Sequence, residues 1–278
     1  MKNLTKITLA LLGAFIAGQA NAGIVVDGNI DEWLANKATW ATLSPSTHAT
    51  VEDQTGGLGV LLTPGYGGQA YDAEALFARI ENGKLFIALA TGLNPNTLTN
   101  PGANTFGAGD FAIDFGKNGS YDLGINFRNP NPLSTAMVDT FGLLGGVYKN
   151  PTWALGLWDA TGHQVTAANK NVADPLHPTA LIGGTKIGMA DFAYSTVGAT
   201  GYGQYSADTH YFYETSVDLS LLREAGWDGS AFNIHWTENC ANDSILVDPG
   251  QYVPEPGSLA LLGLGLFGMM GLRRRVGN

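Results

Sequence analysis

The clearest alternation of apolar and polar positions runs from Glu74 to Thr91. Asn82-Gly83 is a turn signal of type I′, because both positions need a left-handed backbone that Asn and Gly adopt readily. A turn there sets Glu81 against Lys84 and Ile80 against Leu85. Leu76, Ala78, Ile80, Leu85, Ile87 and Leu89 then share one face, and Phe77, Phe86 and Ala88 the other. A hairpin apolar on both faces belongs in the middle of a sheet.

A second alternating run spans Asp110 to Arg128. A three-residue loop, Lys117-Asn118-Gly119, with Gly119 left-handed, gives a consistent register. It puts Phe111, Ile113, Phe115, Tyr121, Leu123, Ile125 and Phe127 on one face. Asp110, Ala112, Asp114, Asp122, Gly124, Asn126 and Arg128 take the other, with Asp114 directly opposite Asp122.

Shorter elements fill the rest. Ile24 to Val26 starts a strand that Asp27-Gly28 turns, and Asp31 caps a short helix over 31–34. Residues 54–70 and 94–109, rich in Gly, Pro, Asn and Thr, read as loops. Tyr211 to Val217 reads as a strand, and Ser220 to Ala225 as a short helix that Gly226 ends. Ala231 to Cys240 is a strand with Phe232, Ile234 and Trp236 on one face and Asn233, His235 and Thr237 on the other. Many short strands with Gly-rich turns predict an all-β chain: a β-sandwich over residues 23–252 with one or two short helices. The 38 glycines and the 14% of charged residues are unlike a helical bundle.

Both ends read as addressing. Residues 1–22 carry Lys2 and Lys6, an apolar stretch from Ile7 to Ala17, and Ala20-Asn21-Ala22, the three parts of a cleaved signal peptide in the right order. Residues 253–278 begin Val253-Pro254-Glu255-Pro256-Gly257-Ser258, continue with an apolar run from Leu259 to Leu272, and then present Arg273-Arg274-Arg275. As a helix that run rises about 21 Å, short of the ~30 Å hydrocarbon core unless the arginine stems snorkel. The basic cluster keeps the C-terminus cytoplasmic. Gly263-Leu264-Gly265-Leu266-Phe267-Gly268 matches a dinucleotide fingerprint, but it follows no strand and precedes no acidic residue, so it is rejected.

This tail resembles the PEP-CTERM sorting signal in its Pro-Glu-Pro motif, short Gly-rich span and terminal arginines. The resemblance implies that exosortase, a membrane protease, recognises the motif and removes the tail. It implies a precursor anchored in the inner membrane, then a cell-surface or extracellular-matrix location in a bacterium that makes exopolysaccharide. Without Lys2, Lys6, Arg273, Arg274, Arg275 and Glu255, nine basic and 23 acidic residues remain, a balance near −14. Such a domain repels phosphate backbones, so nucleic acid is not an expected partner. Cys240 is the sole cysteine, which excludes an internal disulfide.

A second resemblance is carried by Val26-Asp27-Gly28-Asn29-Ile30-Asp31-Glu32-Trp33 and by Tyr213-Glu214-Thr215-Ser216-Val217-Asp218-Leu219-Ser220-Leu221-Leu222. The first is similar to the opening of family-nine carbohydrate-binding modules and DOMON-like domains. The second is similar to their late strand and helical turn, with Asp218 where relatives often have Pro. This likeness implies a jelly-roll-like sandwich, frequently with calcium. The sugar-clamping residues of those modules have no counterpart that can be placed here.

Candidate chemistry is sparse. Like charges facing each other on a sheet repel. Asp114 and Asp122, with Asp110 and Asn126 on the same face, therefore suit a Ca²⁺ ion, or else form a solvated acidic face relieved by Lys117 and Arg128. Asp27 and Asp31 hold a cation or serve as turn and cap. Asn150-Pro151 as a turn places Tyr148 opposite Trp153, a pair able to stack a sugar ring, or else two core aromatics. His235, Cys240 and Asp243 do not form a thiol site, because positions 235 and 240 face opposite sides of a strand. Haem and zinc lack supporting spacing. A hydrolase lacks a placed carboxylate pair. The expectation is a non-enzymatic surface sandwich that binds exopolysaccharide or another surface glycan, with structural calcium. Its alternative is a matrix or spacer protein with no small ligand.

Overall fold

The computed structural model describes residues 23–53, 68–96, 107–127, 141–156, 177–241 and 243–250. Residues 1–22, read as a signal peptide, and the tail from 253 lie outside these residues. Strands are numbered in chain order. β1 (Leu34–Asn36) and β2 (Ala41–Thr42) form a small ribbon.

The larger strands make two antiparallel sheets. The first has the order β10 (Asp191–Tyr194), β11 (Tyr211–Asp218), β5 (Lys84–Thr91), β4 (Ala73–Glu81) and β3 (His48–Val51). The second has the order β13 (Ser244–Val247), β12 (Phe232–Thr237), β6 (Phe111–Phe115), β7 (Leu123–Ile125), β8 (Gly146–Leu155) and β9 (Pro178–Met189). The fold is the expected all-β sandwich. One short helix, α1 (Leu219–Glu224), follows β11 and ends at Gly226, whose φ is 113°.

The β4–β5 hairpin has the predicted register, Glu81 with Lys84 and Ile80 with Leu85, and sits near the middle of its sheet. Asn82 and Gly83 both have positive φ, 50° and 78°, as a type I′ turn requires. Its two apolar faces serve two cores. Leu76, Ala78, Leu85, Ile87 and Leu89 meet Phe111, Ile113, Leu123, Ile125, Ile234 and Trp236 of the other sheet. Phe77 and Ala88 face outward and are covered by Ile24, Ile30, Trp33, Leu34 and Trp40.

That cover departs from the expected local structure. Ile24 to Val26 is not a strand, and residues 31–34 give only a 3₁₀ turn, Asp31–Trp33, with no side-chain cap. The segment is shaped by burial rather than by repeat structure: Ile30 and Trp33 are inserted under the first sheet's outer face. One sheet face is thereby closed by the chain's own N-terminal segment. The outer face of the second sheet carries the cavity described next.

Candidate functional site

The far strands of the six-stranded sheet are tied back to β6 and β7. Asp110 N donates to Thr179 O at 2.7 Å, and Asp110 Oδ2 accepts from Leu181 N at 2.7 Å. The start of β9 is thus drawn back across the start of β6. Leu181 and Trp153 close over Gly124, where an added Cβ would stand 2.7 Å from Leu181 Cδ2 and 2.9 Å from the Trp153 ring. Any side chain there would push this wall away.

The second hairpin supplies the floor, and it differs from the predicted register in one place. Phe111 with Ile125, Ala112 with Gly124 and Ile113 with Leu123 pair as expected. Asp122 N then donates to Ile113 O at 2.8 Å, a one-residue slip characteristic of a bulge. A slip of one residue moves later side chains to the opposite face. Tyr121, expected among the core residues, instead lies on the outer face beside Asp114 and His235.

A cavity of about 390 Å³ opens there, lined by Thr50, Glu52, Tyr121, His177, Asn233 and His235 among others. The ring centroid of His235 lies 5.7 Å from Tyr121 and 5.7 Å from His177, and Trp153 meets Tyr121 edge-on at 6.3 Å. His235 is 2% exposed, and neither ring nitrogen has a hydrogen-bond partner. Trp153 is half-buried, with an unpartnered Nε1. Two different sheets contribute, since Thr50 Oγ1 donates to Leu246 O at 2.7 Å where β3 meets β13.

The anticipated Tyr148–Trp153 platform is not formed. No turn occurs at Asn150-Pro151; both aromatics belong to the single strand β8, where Asn150 has φ 49° and the register to β9 shifts repeatedly. Tyr148 pairs with Lys186 and Trp153 with Leu181. Tyr148 is buried, packs on Phe141 at 5.0 Å, and accepts from Leu143 N through its hydroxyl at 3.2 Å. It is a packing residue, while Trp153 stands behind Tyr121, one ring back from the cavity lining.

The three candidate calcium ligands each have backbone donors. Asp110 accepts from Phe127 N and Leu181 N. Asp114 accepts from Asn118 N at 3.0 Å and Gly119 N at 2.7 Å, closing its own loop. Asp122 accepts from Phe115 N at 2.8 Å; burial raises its pKa, as does the Asp114 charge, against that hydrogen bond. Among the described residues, no three His, Cys, Asp or Glu side chains are gathered so as to hold a metal. Asp31 pairs with Lys37 at 2.6 Å and accepts from the Tyr202 hydroxyl at 2.6 Å. Cys240 is buried in the core between the sheets, away from the face that carries His235.

Sequence reasoning missed a second cluster. Glu52, Asp72, Glu238 and Asp243 come together where β3, β4 and the turn after β12 converge. Asp243 accepts from Ala73 N at 2.7 Å and Ser244 N at 2.8 Å. Asp72 and Asp243 approach as a carboxyl–carboxylate pair, a bond that exists only when one is protonated; with both ionised, neither Asp72 oxygen has a donor. Burial first, and then the neighbouring charges, push Glu52 up to about 8 and raise Asp72 and Glu238 far above the carboxylate range. The pattern hidden in the sequence was burial itself, since an acidic residue at a strand end usually faces water.

Residues 253–275 match the PEP-CTERM protein-sorting motif. No curated protein and no solved structure matches the chain. The chain is thus an all-β sandwich that carries a PEP-CTERM sorting motif. That motif supports an exported surface protein processed by exosortase from a membrane-anchored precursor. No helix among the described residues is long and apolar enough to cross a membrane.

Proposed function

We propose that the sandwich binds carbohydrate of the extracellular matrix, in the cavity on the outer face of the six-stranded sheet. The observation that carries this reading is the grouping of Tyr121, His177 and His235 around a cavity of about 390 Å³. Ligand sites of small molecules are of this size and combine aromatic walls with a few polar groups. The sorting motif adds context, because exosortase-sorted proteins occur in bacteria that make exopolysaccharide. The domain has no catalytic role in this reading.

The spacer alternative keeps one observation in its favour. Trp33, Trp40, Trp227 and Trp236 are buried, so most indoles in the described residues serve the core. The deciding experiment is a glycan array probed with the purified chain. Binding to surface polysaccharides, lost on Tyr121→Ala, supports the carbohydrate reading. A chain that binds none of them is a spacer.

A further inference from the structure

The cavity that the carbohydrate reading rests on has a chemical bias of its own, set by His235. This side chain is nearly sealed, 2% exposed, and sits in the middle of β12 between Ala112 of β6 and Leu246 of β13. Both of its nitrogens lack partners. An unpaired buried polar atom costs about 1–3 kcal/mol, and native structures seldom leave two on one ring. Burial, and then the neighbouring His177, pushes its pKa down to about 3, so the ring is neutral at physiological pH. A neutral imidazole offers one donor and one acceptor. A sugar hydroxyl offers the same two functions in reverse.

The charges around the cavity select further. Glu52 has an oxygen with no partner, but burial pushes its pKa up to about 8, so it is largely uncharged at pH 7. Asp114 is acidic, though its oxygens accept from two loop amides. Lys117 is the cationic lining residue, and Asp248 already holds it in an ion pair. An anionic sugar therefore meets no free cation among the described lining residues, and Asp114 is a carboxylate of the lining. The ring faces of Tyr121 and His177 are the surfaces on which the apolar C–H face of a pyranose stacks.

We infer that the cavity admits one uncharged sugar unit, with the Tyr121 and His177 rings shifting so that its hydroxyls reach the sealed nitrogens of His235, which thereby sets specificity for neutral over acidic glycans. This inference rests on the carbohydrate reading and narrows it. The test uses the full chain purified in detergent, titrated calorimetrically with glucan, mannan and galactan oligosaccharides and with polygalacturonate and alginate oligosaccharides. In parallel, ¹⁵N-histidine labelling follows the ring nitrogens of His235. At least one neutral series binds, acidic series bind about tenfold more weakly or not at all, and the His235 nitrogen resonances move on saturation. His235→Phe keeps the ring shape, removes both hydrogen bonds and lowers neutral-glycan affinity about tenfold. If that variant does not fold, the wild-type nitrogen shifts decide. Acidic glycans binding as tightly as neutral ones, or neutral binding that leaves His235 unmoved, overturns the inference while leaving carbohydrate binding intact. Absence of binding to every series overturns both.

Discussion

The indole Nε1 of Trp33 donates a 2.8 Å hydrogen bond to Oε1 of Glu214, joining segments 181 residues apart. The other oxygen of Glu214 accepts from Gly28 N at 2.8 Å and Asp27 N at 3.1 Å. Gly28 can approach because it has no side chain: with φ 84°, an added Cβ would stand 2.5 Å from the Tyr194 carbonyl carbon. One buried carboxylate thus fixes the N-terminal cover over the first sheet. Burial raises the Glu214 pKa to about 7, with these three hydrogen bonds acting against it.

Glu214→Ala removes all three acceptor contacts and leaves buried donors unpaired. The expected loss is roughly 2–4 kcal/mol of stability, measured by urea unfolding. Tryptophan fluorescence should red-shift as Trp33 is released. Glu214→Gln keeps one carbonyl oxygen and should lose less. A Glu214→Ala variant as stable as wild type would show that the cover is held by apolar burial alone.

The two sequence segments that suggested a carbohydrate-binding-module likeness are the ones this carboxylate joins. Their spacing was visible in the sequence, but the bond between them was not, because no local pattern links positions 33 and 214. Hairpin register was legible at Asn82-Gly83, where the turn residues define it, but not at Asn150-Pro151, which runs within one strand. It failed at Asp122, since a bulge depends on the strands around it rather than on the alternation. That one slip took Tyr121 out of the predicted core and into the cavity. His235 was placed on the correct strand face, yet its lack of partners is a property of the assembled fold.

The corrected aromatic assignment separates two variants. Tyr148→Ala truncates a buried ring and should cost about 3 kcal/mol without a specific effect on ligand affinity. Trp153→Ala removes a half-buried ring that backs Tyr121 of the cavity lining, should cost less, and should weaken glycan binding several-fold by freeing Tyr121. Thermal melting and calorimetry on the same preparations distinguish them. Equal stability loss in both would assign Trp153 to the core.

For sorting, Pro254-Glu255-Pro256 replaced by alanines should leave an uncut, membrane-retained precursor in a host that contains exosortase. Fractionation and immunoblotting read the outcome. Processing and release at the wild-type rate would remove the role assigned to the motif.

The buried carboxyls Glu52, Asp72, Glu238 and Asp243 make stability depend on pH in an unusual direction. Each has a folded-state pKa raised first by burial; neighbouring carboxylates add to this at Glu52, Asp72 and Glu238, while hydrogen bonds from Ala73 N, Asp72 and Ser244 N act against it at Asp243. Unfolded carboxyls titrate near 4, so the folded chain holds protons that the unfolded chain has released. Their contribution is fully present below about pH 4 and is lost as pH rises through the folded values. His235 has the opposite sign, because its lowered pKa makes the folded state bind fewer protons, but only below about pH 6.5. The surface carboxylates with lowered pKa, Asp31, Asp191 and Asp248, lose their contribution only below about pH 4. The window from pH 7 to 9 therefore reports mainly on the buried cluster, with Glu52 titrating near 8, while Glu214, near 7, adds to the fall only at its lower end. In chelator, the melting temperature should fall steadily across that window. Glu238→Gln, which mimics the protonated form, should flatten the fall and melt higher than wild type at pH 9. Calcium tests whether an ion replaces the protons: a slope that vanishes when calcium is added, and returns with chelator, would place a divalent cation in this cluster rather than at Asp114 and Asp122. A melting temperature that stays level or climbs from pH 7 to 9 in chelator would show that these carboxyls are ionised and solvated in the folded protein.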